Sequence, residues 1–103
     1  MSDQTELTAL YDNMEIRKAA LVIRALNNKL RRRILEELES SGESIVGAIQ
    51  NKLNIIQPVA SQHLAILRHA RIVKARREGK QIFYSVNRER LNQIIPLIQQ
   101  LNK

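Results

Sequence analysis

Apolar residues recur every three or four positions through most of the chain, a spacing that predicts helices. The longest such stretch covers residues 5–26, and two shorter stretches follow at 29–39 and 45–52. A fourth helix is predicted to begin at Gln57, with Pro58 in its first turn, where the missing N–H of proline costs no hydrogen bond. Four helices joined by short connections therefore account for the first part of the chain.

The pattern then changes from helical spacing to that of two short strands. Residues 72–77 and 80–86 have strand composition, and Glu78-Gly79 between them reads as a tight turn, so a β-hairpin is predicted. After Asn87, which can cap a helix, apolar residues again follow helical spacing. They form a stripe on one face of a fifth helix, made up of Leu91, Ile94, Ile95, Ile98 and Leu101.

Small polar residues stand where other helices should begin. Asn27 or Asn28 can cap the second helix, and Ser44 can cap the third. The predicted order of elements is four helices, a hairpin and a fifth helix. The predicted fold class is therefore mainly α, of the α+β type, in a single domain covering residues 1–103.

The fourth helix has one apolar face and one slim polar face. With about 100° between successive residues, the inward arc holds Val59, Ala60, His63, Leu64, Ile66 and Leu67. The opposite arc holds Gln57, Ser61, Gln62, Ala65 and Arg68. A face this narrow can enter the major groove, and its amide and hydroxyl groups can hydrogen-bond to base edges. The pattern predicts a helix that reads DNA sequence.

The net charge is +7, and the positive charges concentrate in two segments. Residues 1–16 contain four acidic residues and no basic ones, and residues 34–56 contain four acidic residues and one basic. By contrast, residues 17–33 contain seven basic residues and no acidic ones, and residues 57–103 contain nine basic and two acidic. Cations thus coincide with the fourth helix and the hairpin, as a phosphate-binding surface requires. The alternative is a solvated surface that happens to be basic.

Composition excludes several classes of function. The chain has no cysteine, which rules out disulfides, iron–sulfur clusters, thiolate metal sites and thiol redox sensors. Its only aromatic residues are Tyr11, Phe83 and Tyr84, too few to stack single-stranded nucleic acid. No apolar run approaches the roughly 18 residues of a membrane span, and the acidic amino terminus does not resemble a secretory signal, so a cytoplasmic location is expected.

No pattern of an enzyme or of a cofactor site is present. Glycine occurs only at positions 42, 47 and 79, so there is no glycine-rich loop to cradle a phosphate. The sequence also lacks a nucleophile elbow and any convergent pattern of histidine and carboxylate. We therefore expect neither catalysis nor a bound cofactor.

Three fragments, in this order and spacing, resemble the ArsR/SmtB family of small bacterial winged-helix repressors. They are RRRILEEL in the second helix, QPVASQHLAIL in the fourth and VKARREGKQIFYSV in the hairpin, and the resemblance covers about residues 23–86. It implies a winged helix-turn-helix in which the fourth helix is the recognition helix and the hairpin is the wing. It also implies a homodimer built from the first and last helices, which binds a near-palindromic operator and blocks transcription until an inducer arrives.

This resemblance assigns two sets of site residues. The residues expected to bind DNA are Gln57, Pro58, Ser61, Gln62, His63, Arg68, Arg76, Arg77 and Lys80. The residues expected at the dimer interface are Leu7, Leu10, Tyr11, Met14, Leu91, Ile94, Ile95, Ile98 and Leu101. For His63, contact with a phosphate and packing inside the protein are both open. For the basic cluster Lys29, Arg31, Arg32 and Arg33, contact with the DNA backbone and exposure to solvent are both open.

The chain departs from the family pattern at three positions. Arg71 stands where the family usually has glycine, and a left-handed backbone there is costly for arginine. Arg32 occupies a position that the family tends to fill with an apolar residue, so its side chain is not expected to be fully buried. Ile56 replaces the usual serine before Gln57, which removes a good helix cap.

The two recurrent metal sites of the family are not expected here. One needs cysteines at the start of the third helix, where this chain has Glu43, Ser44, Ile45, Val46 and Gly47. The other needs an Asp-x-His pair entering the last helix and a later histidine, where this chain has Arg88, Arg90 and Leu101. A site made from His63 and His69 is not expected either, because the two lie on different faces of one helix.

The sequence thus predicts a homodimeric winged-helix regulator of the ArsR type, acting as a repressor on double-stranded DNA. Two alternatives stay open. One is a winged-helix module that binds a protein partner through an apolar groove. The other is a repressor that responds to a small organic ligand held between the first and last helices. The sequence does not specify an inducer, the operator or the regulated genes.

Overall fold

The computed structural model of the protein describes residues 14–101, except for the side chains of Ile98, Gln100 and Leu101. These residues form five helices and three short strands. In chain order the elements are α1 (Met14–Leu26), α2 (Lys29–Ser41), β1 (Ser44–Ile45), α3 (Val46–Leu53), α4 (Gln57–His69), β2 (Val73–Glu78), β3 (Gln81–Val86) and α5 (Arg88–Leu101). The predicted order of four helices, a hairpin and a fifth helix is confirmed. The short strand β1 was not predicted.

The three strands form an antiparallel sheet with β3 in the middle. Ser44 pairs with Tyr84 and Ile45 pairs with Phe83, so β1 ties the hairpin to the connection between α2 and α3. The prediction that Ser44 caps a helix is wrong, because its backbone belongs to the sheet and its hydroxyl lies 2.7 Å from that of Ser41. The residue at the N-cap of α3 is Ile45, which makes no side-chain capping bond.

The tight turn of the wing lies one residue further along the chain than predicted. Glu78 pairs with Gln81, which leaves Gly79 and Lys80 as the two turn residues. Gly79 has a φ of 62° whereas Lys80 has a negative φ, the combination of a type II′ turn with glycine at its first central position. Lys80 therefore stands at the tip of the wing.

Asparagine side chains cap two helices, as predicted. The side-chain oxygen of Asn28 accepts a hydrogen bond from the backbone N–H of Arg31 at 2.9 Å. That of Asn87 accepts one from the backbone N–H of Arg90 at 3.2 Å. The N-cap of α4 is Ile56, whose side chain is 66% exposed and makes no capping bond. The predicted lack of a good cap on the recognition helix is therefore confirmed.

All five helices and the start of the wing contribute to one core. From α4 come Leu64 and Leu67, and their burial turns the opposite face of the helix toward solvent. The buried cluster consists of Ala19, Val22, Ala25, Ile34, Leu38, Ile49, Leu64, Leu67, Ala70, Ile72, Val73 and Ile94.

The apolar stripe of α5 is partly internal, because α5 packs against α1 within the chain. Ile94 is fully buried in the core of its own chain, so its predicted role at a dimer interface is corrected. Leu91 is half-buried against the same core. In contrast, Ile95 is 43% exposed and Met14 on α1 is 58% exposed. The other predicted interface residues, Leu7, Leu10, Tyr11 and the side chains of Ile98 and Leu101, lie outside what the structure describes.

Helix α4 ends in a Schellman motif that places Arg71 in the left-handed region. The N–H of Ile72 donates to the carbonyl of Leu67 at 3.2 Å, and the N–H of Arg71 donates to the carbonyl of Arg68 at 2.9 Å. Arg71 has a φ of 65°, and the amide nitrogen of Asn87 donates to its carbonyl at 2.9 Å. The left-handed backbone anticipated at Arg71 is therefore confirmed.

We expect Arg71→Gly to raise the free energy of unfolding by about 0.5–1 kcal/mol. A left-handed backbone costs an L-residue about 1–2 kcal/mol, of which the greater freedom of glycine in the unfolded chain offsets a part. The Arg71 side chain is exposed, so little packing is lost. Thermal denaturation would measure the change, with Asn54→Gly as the control. Asn54 also has a positive φ, of 54°, but asparagine tolerates it, so the control should gain less. An equal gain in both variants would contradict the assigned strain.

Candidate DNA-binding surface

The polar face of α4 is open to solvent over its whole length. Gln57, Pro58, Gln62 and Arg68 are exposed and Ser61 is half-buried. All five belong to the set predicted to bind DNA, and none of them belongs to the buried side of the helix. One residue of the predicted inward arc, Ile66, is 36% exposed and so lies at the edge of that arc.

A hydrogen bond within the first turns of α4 holds the side-chain amide of Gln57 in a defined orientation. The side-chain nitrogen of Gln57 donates a hydrogen bond to the hydroxyl oxygen of Ser61 at 2.9 Å. This i, i+4 contact leaves the second N–H and the carbonyl oxygen of the Gln57 amide free to bond outward. A donor and an acceptor side by side match the N7 and N6 positions of adenine in the major groove.

The start of α4 and the wing face each other across one cleft. The cleft has a volume of about 410 Å³, and its walls include Gln57 and Ser61 from α4 and Lys80, Ile82 and Tyr84 from the wing. The fold therefore brings together two groups of predicted site residues that are about twenty positions apart in the sequence. A cation at the wing tip and the amide of the recognition helix line the same opening.

The two arginines of the wing lie on opposite faces of the sheet. Arg77 pairs with Ile82, and Ile82 lines the cleft, so Arg77 belongs to the face that we call the cleft face. Its neighbour Arg76 pairs with Phe83 and belongs to the outer face, because successive strand residues alternate. Of the predicted wing contacts, Arg77 and Lys80 are thus on the side of α4 and Arg76 is not.

The guanidinium of Arg76 forms ion pairs with two carboxylates on the outer face of the sheet. Its guanidinium donates two hydrogen bonds to the carboxylate of Glu43, at 2.9 and 3.1 Å, and one to Glu78 at 2.7 Å. It also lies 4.8 Å from the centre of the Phe83 ring. The hydrogen bond from Arg76 holds the pKa of Glu43 below its usual value. Arg76 is therefore not a free cation in this structure, and its predicted contact with DNA stays a prediction.

His63 is packed against Arg31 instead of standing free on the DNA-facing side. Its Nδ1 lies 3.1 Å from a guanidinium nitrogen of Arg31, and since a guanidinium only donates, Nδ1 is the acceptor. Burial, and then the positive charge of Arg31, lower the pKa of His63. Of the two roles that the sequence left open, these contacts favour packing, and a contact of His63 with DNA stays a prediction.

Part of the basic cluster at 29–33 holds the end of α1. Arg31 donates to the carbonyl of Ala25 at 2.7 Å, and Arg32 donates to the carbonyl of Leu26 at 2.7 Å. Arg32 is exposed, as predicted. Two cations at the carboxyl end of a helix satisfy its unpaired carbonyls and interact favourably with the negative end of its dipole. Sequence reasoning missed this role, although each arginine stands six residues after the carbonyl it binds.

Comparison with known proteins identifies the family to which this fold belongs. The model of the bacterial regulatory protein, arsR family, matches residues 28–75. A helix-turn-helix transcriptional regulator from Methanocaldococcus jannaschii is 40% identical over 84 residues, which make up 82% of this chain and 94% of that protein. The chain belongs to the ArsR family.

Two further relatives cover much of the chain. The transcriptional repressor SdpR of Bacillus subtilis is 38% identical over 66 residues, or 64% of this chain and 72% of that protein. A homodimeric winged helix-turn-helix DNA-binding domain from Mycobacterium bovis, solved in solution, matches with a TM-score of 0.69. It is 32% identical and covers 84% of this chain and 80% of its own. The predicted winged helix-turn-helix fold is thereby confirmed.

Membership of the ArsR family defines the class of activity. The chain is a transcriptional regulator with a winged helix-turn-helix DNA-binding domain, and not an enzyme. The segment matched by the family model includes all of α2, α3 and α4 but ends in β2, before Arg77 and Lys80. The roles of those two wing residues therefore rest on the sequence resemblance, on the register of the hairpin and on the position of Lys80 in the cleft, and not on the family model.

Two further properties concern only the part of the chain between residues 14 and 101. Within it, no three histidine, aspartate or glutamate residues lie close enough together to hold a metal ion. No helix in the same region is long and apolar enough to cross a lipid bilayer.

Proposed function

We propose that this ArsR-family regulator acts in the cytoplasm as a homodimeric repressor of a near-palindromic operator. In this proposal residues 1–103 form one domain, the start of α4 enters the major groove, and the wing lies on the flanking backbone. The observation that carries the proposal is the cleft, in which Gln57 and Ser61 of α4 face Lys80 of the wing. Groups that can read bases and a cation that can bind phosphate thus face the same ligand.

The distribution of charge supports double-stranded DNA over a protein as that ligand. Arg77 and Lys80 on the wing and Arg68 on α4 are exposed, and none of them has an ion-pair partner among the described residues. Exposed, unpaired cations on both α4 and the wing are more typical of a phosphate-binding surface than of an apolar groove for a protein partner. Phosphates would neutralise them and release counterions, which favours binding to a duplex.

Dimerisation is supported by the exposed apolar residues of α1 and α5. Met14 and Ile95 remain open to solvent on two helices that pack against each other. The relative from Mycobacterium bovis is described as homodimeric, and the one from Bacillus subtilis as a repressor. Two copies related by a two-fold axis would present two α4 helices to successive turns of one duplex.

The proposal is tested by selecting bound sequences from a pool of random DNA duplexes. The selected sites are expected to contain inverted half-sites whose centres lie about one helical turn, roughly 10 base pairs, apart. Affinity for them should fall steeply as salt is raised from about 50 to 200 mM. Sedimentation of the free protein should give a dimer. A stable monomer, or a failure to retain any duplex at the lower salt, would overturn the proposal.

A further inference from the structure

The ion pair between Glu43 and Arg76 joins the two edge strands of the sheet across the middle one. Glu43 comes directly before β1, and Arg76 lies on β2. These strands are not neighbours, since β3 runs between them. Phe83 of β3 pairs with Ile45 on one side and with Arg76 on the other. The Arg76 guanidinium lies over the Phe83 ring while it reaches the Glu43 carboxylate.

The geometry of this contact restrains direction as well as distance. Two guanidinium nitrogens of Arg76, Nε and Nη2, bond to the two carboxylate oxygens of Glu43, at 3.1 and 2.9 Å. A third nitrogen, Nη1, bonds to Glu78 near the tip of the wing at 2.7 Å. Such a forked pair fixes the plane of both groups, which a lysine could not do. The contact with Glu43 thus ties β2 to the segment before β1, whereas the contact with Glu78 lies within β2.

The contact is too exposed to contribute much to global stability. The side chains of Arg76, Glu43 and Glu78 are 52%, 39% and 68% exposed. Ion pairs of this kind stabilise a protein by about 1 kcal/mol at most. Its consequence is local, because Arg77 follows Arg76 directly and points to the cleft face. Because the ion pair tethers β2 at Arg76, it restrains the position of the next residue, Arg77, and of the turn that follows.

We propose that Glu43 and Arg76 are positioning residues, whose ion pair holds the wing so that Arg77 and Lys80 face the DNA backbone. This inference rests on the proposed function of the wing in DNA binding. It assigns a role in affinity for DNA to an acidic residue, against the usual expectation that an acid near a phosphate surface weakens binding. Removing the acid should therefore weaken DNA binding if Glu43 positions the wing, and strengthen it if only its charge matters.

The test compares Glu43→Gln with Glu36→Gln on the same operator duplex. Both variants remove one negative charge, but Glu36 is an exposed residue of α2 with no ion pair among the described residues. By charge alone, both variants should bind DNA as tightly as the wild type or slightly more tightly. A positioning role predicts that Glu43→Gln binds roughly 3- to 10-fold more weakly than Glu36→Gln, because a phosphate contact is lost or misplaced. Arg76→Lys, which keeps the charge but not the fork, should be weakened in the same way.

Two readouts separate positioning from a loss of folding or of the proposed function. The thermal midpoint of Glu43→Gln should stay close to that of the wild type, while the slope of log affinity against log salt should become shallower by about 1. If the wild type binds no duplex, the proposed function itself fails. If the wild type binds and Glu43→Gln matches or exceeds Glu36→Gln, the positioning role is overturned and the proposed function stands.

Discussion

Replacing Gln57 with alanine is expected to weaken binding to the operator by about 1–3 kcal/mol, or roughly 5- to 150-fold, with little change on random DNA. The amide of Gln57 offers one N–H and one carbonyl oxygen outward, which suits a bidentate contact with adenine. Its other N–H is held by the Ser61 hydroxyl at 2.9 Å before any DNA is bound. The side chain therefore loses less conformational freedom on binding than a free glutamine would.

The control for this prediction is Lys80→Ala, at the tip of the wing. A lysine that contacts only phosphate should weaken operator and random DNA alike, and its removal should reduce the salt slope by about 1. Fluorescence anisotropy with labelled operator and scrambled duplexes, at several salt concentrations, measures both effects. Equal losses on the two duplexes for Gln57→Ala would remove that residue from the set that reads sequence.

The sequence was sufficient to locate the recognition helix and the wing, because both rest on local signals. Helical periodicity identified the buried side of α4, and the glycine at position 79 marked the turn of the hairpin. The left-handed backbone at Arg71 was indicated by the family resemblance, because the family usually has glycine at that position. Each of these features depends on residues within a few positions of one another.

Features that depend on distant partners could not be predicted in the same way. The strand β1 has two residues, too few for alternation to be visible, and it exists because Ser44 and Ile45 pair with β3. Arg76 and Arg77 are equivalent cations in the sequence, and only the register of the hairpin assigns them to opposite faces. Whether Arg76 is free depends on Glu43, which is 33 positions away.

The apolar stripe of α5 shows a related limit. Spacing tells which residues of a helix share a face, but it does not tell whether the same chain or a second copy covers that face. The structure divides the stripe between these two possibilities, since Ile94 is fully buried and its neighbour Ile95 is 43% exposed. Two adjacent isoleucines on one helix therefore provide a matched pair for separating protomer stability from dimerisation.

Ile94→Ala is expected to lower the free energy of unfolding by about 2–5 kcal/mol, because the cavity it leaves lies in a closed core. Ile95→Ala removes the same number of atoms from a half-open position, so it should leave the packing of the protomer almost unchanged and weaken self-association instead. Denaturant unfolding at several protein concentrations distinguishes the two. The loss for Ile94→Ala should persist at every concentration, whereas that for Ile95→Ala should vanish on dilution, where both proteins are monomers, and grow to a constant value as the wild type dimerises. If Ile94→Ala altered only the dimerisation constant, its side chain would belong to the interface that the sequence pattern first indicated, and its assignment to the core would be wrong.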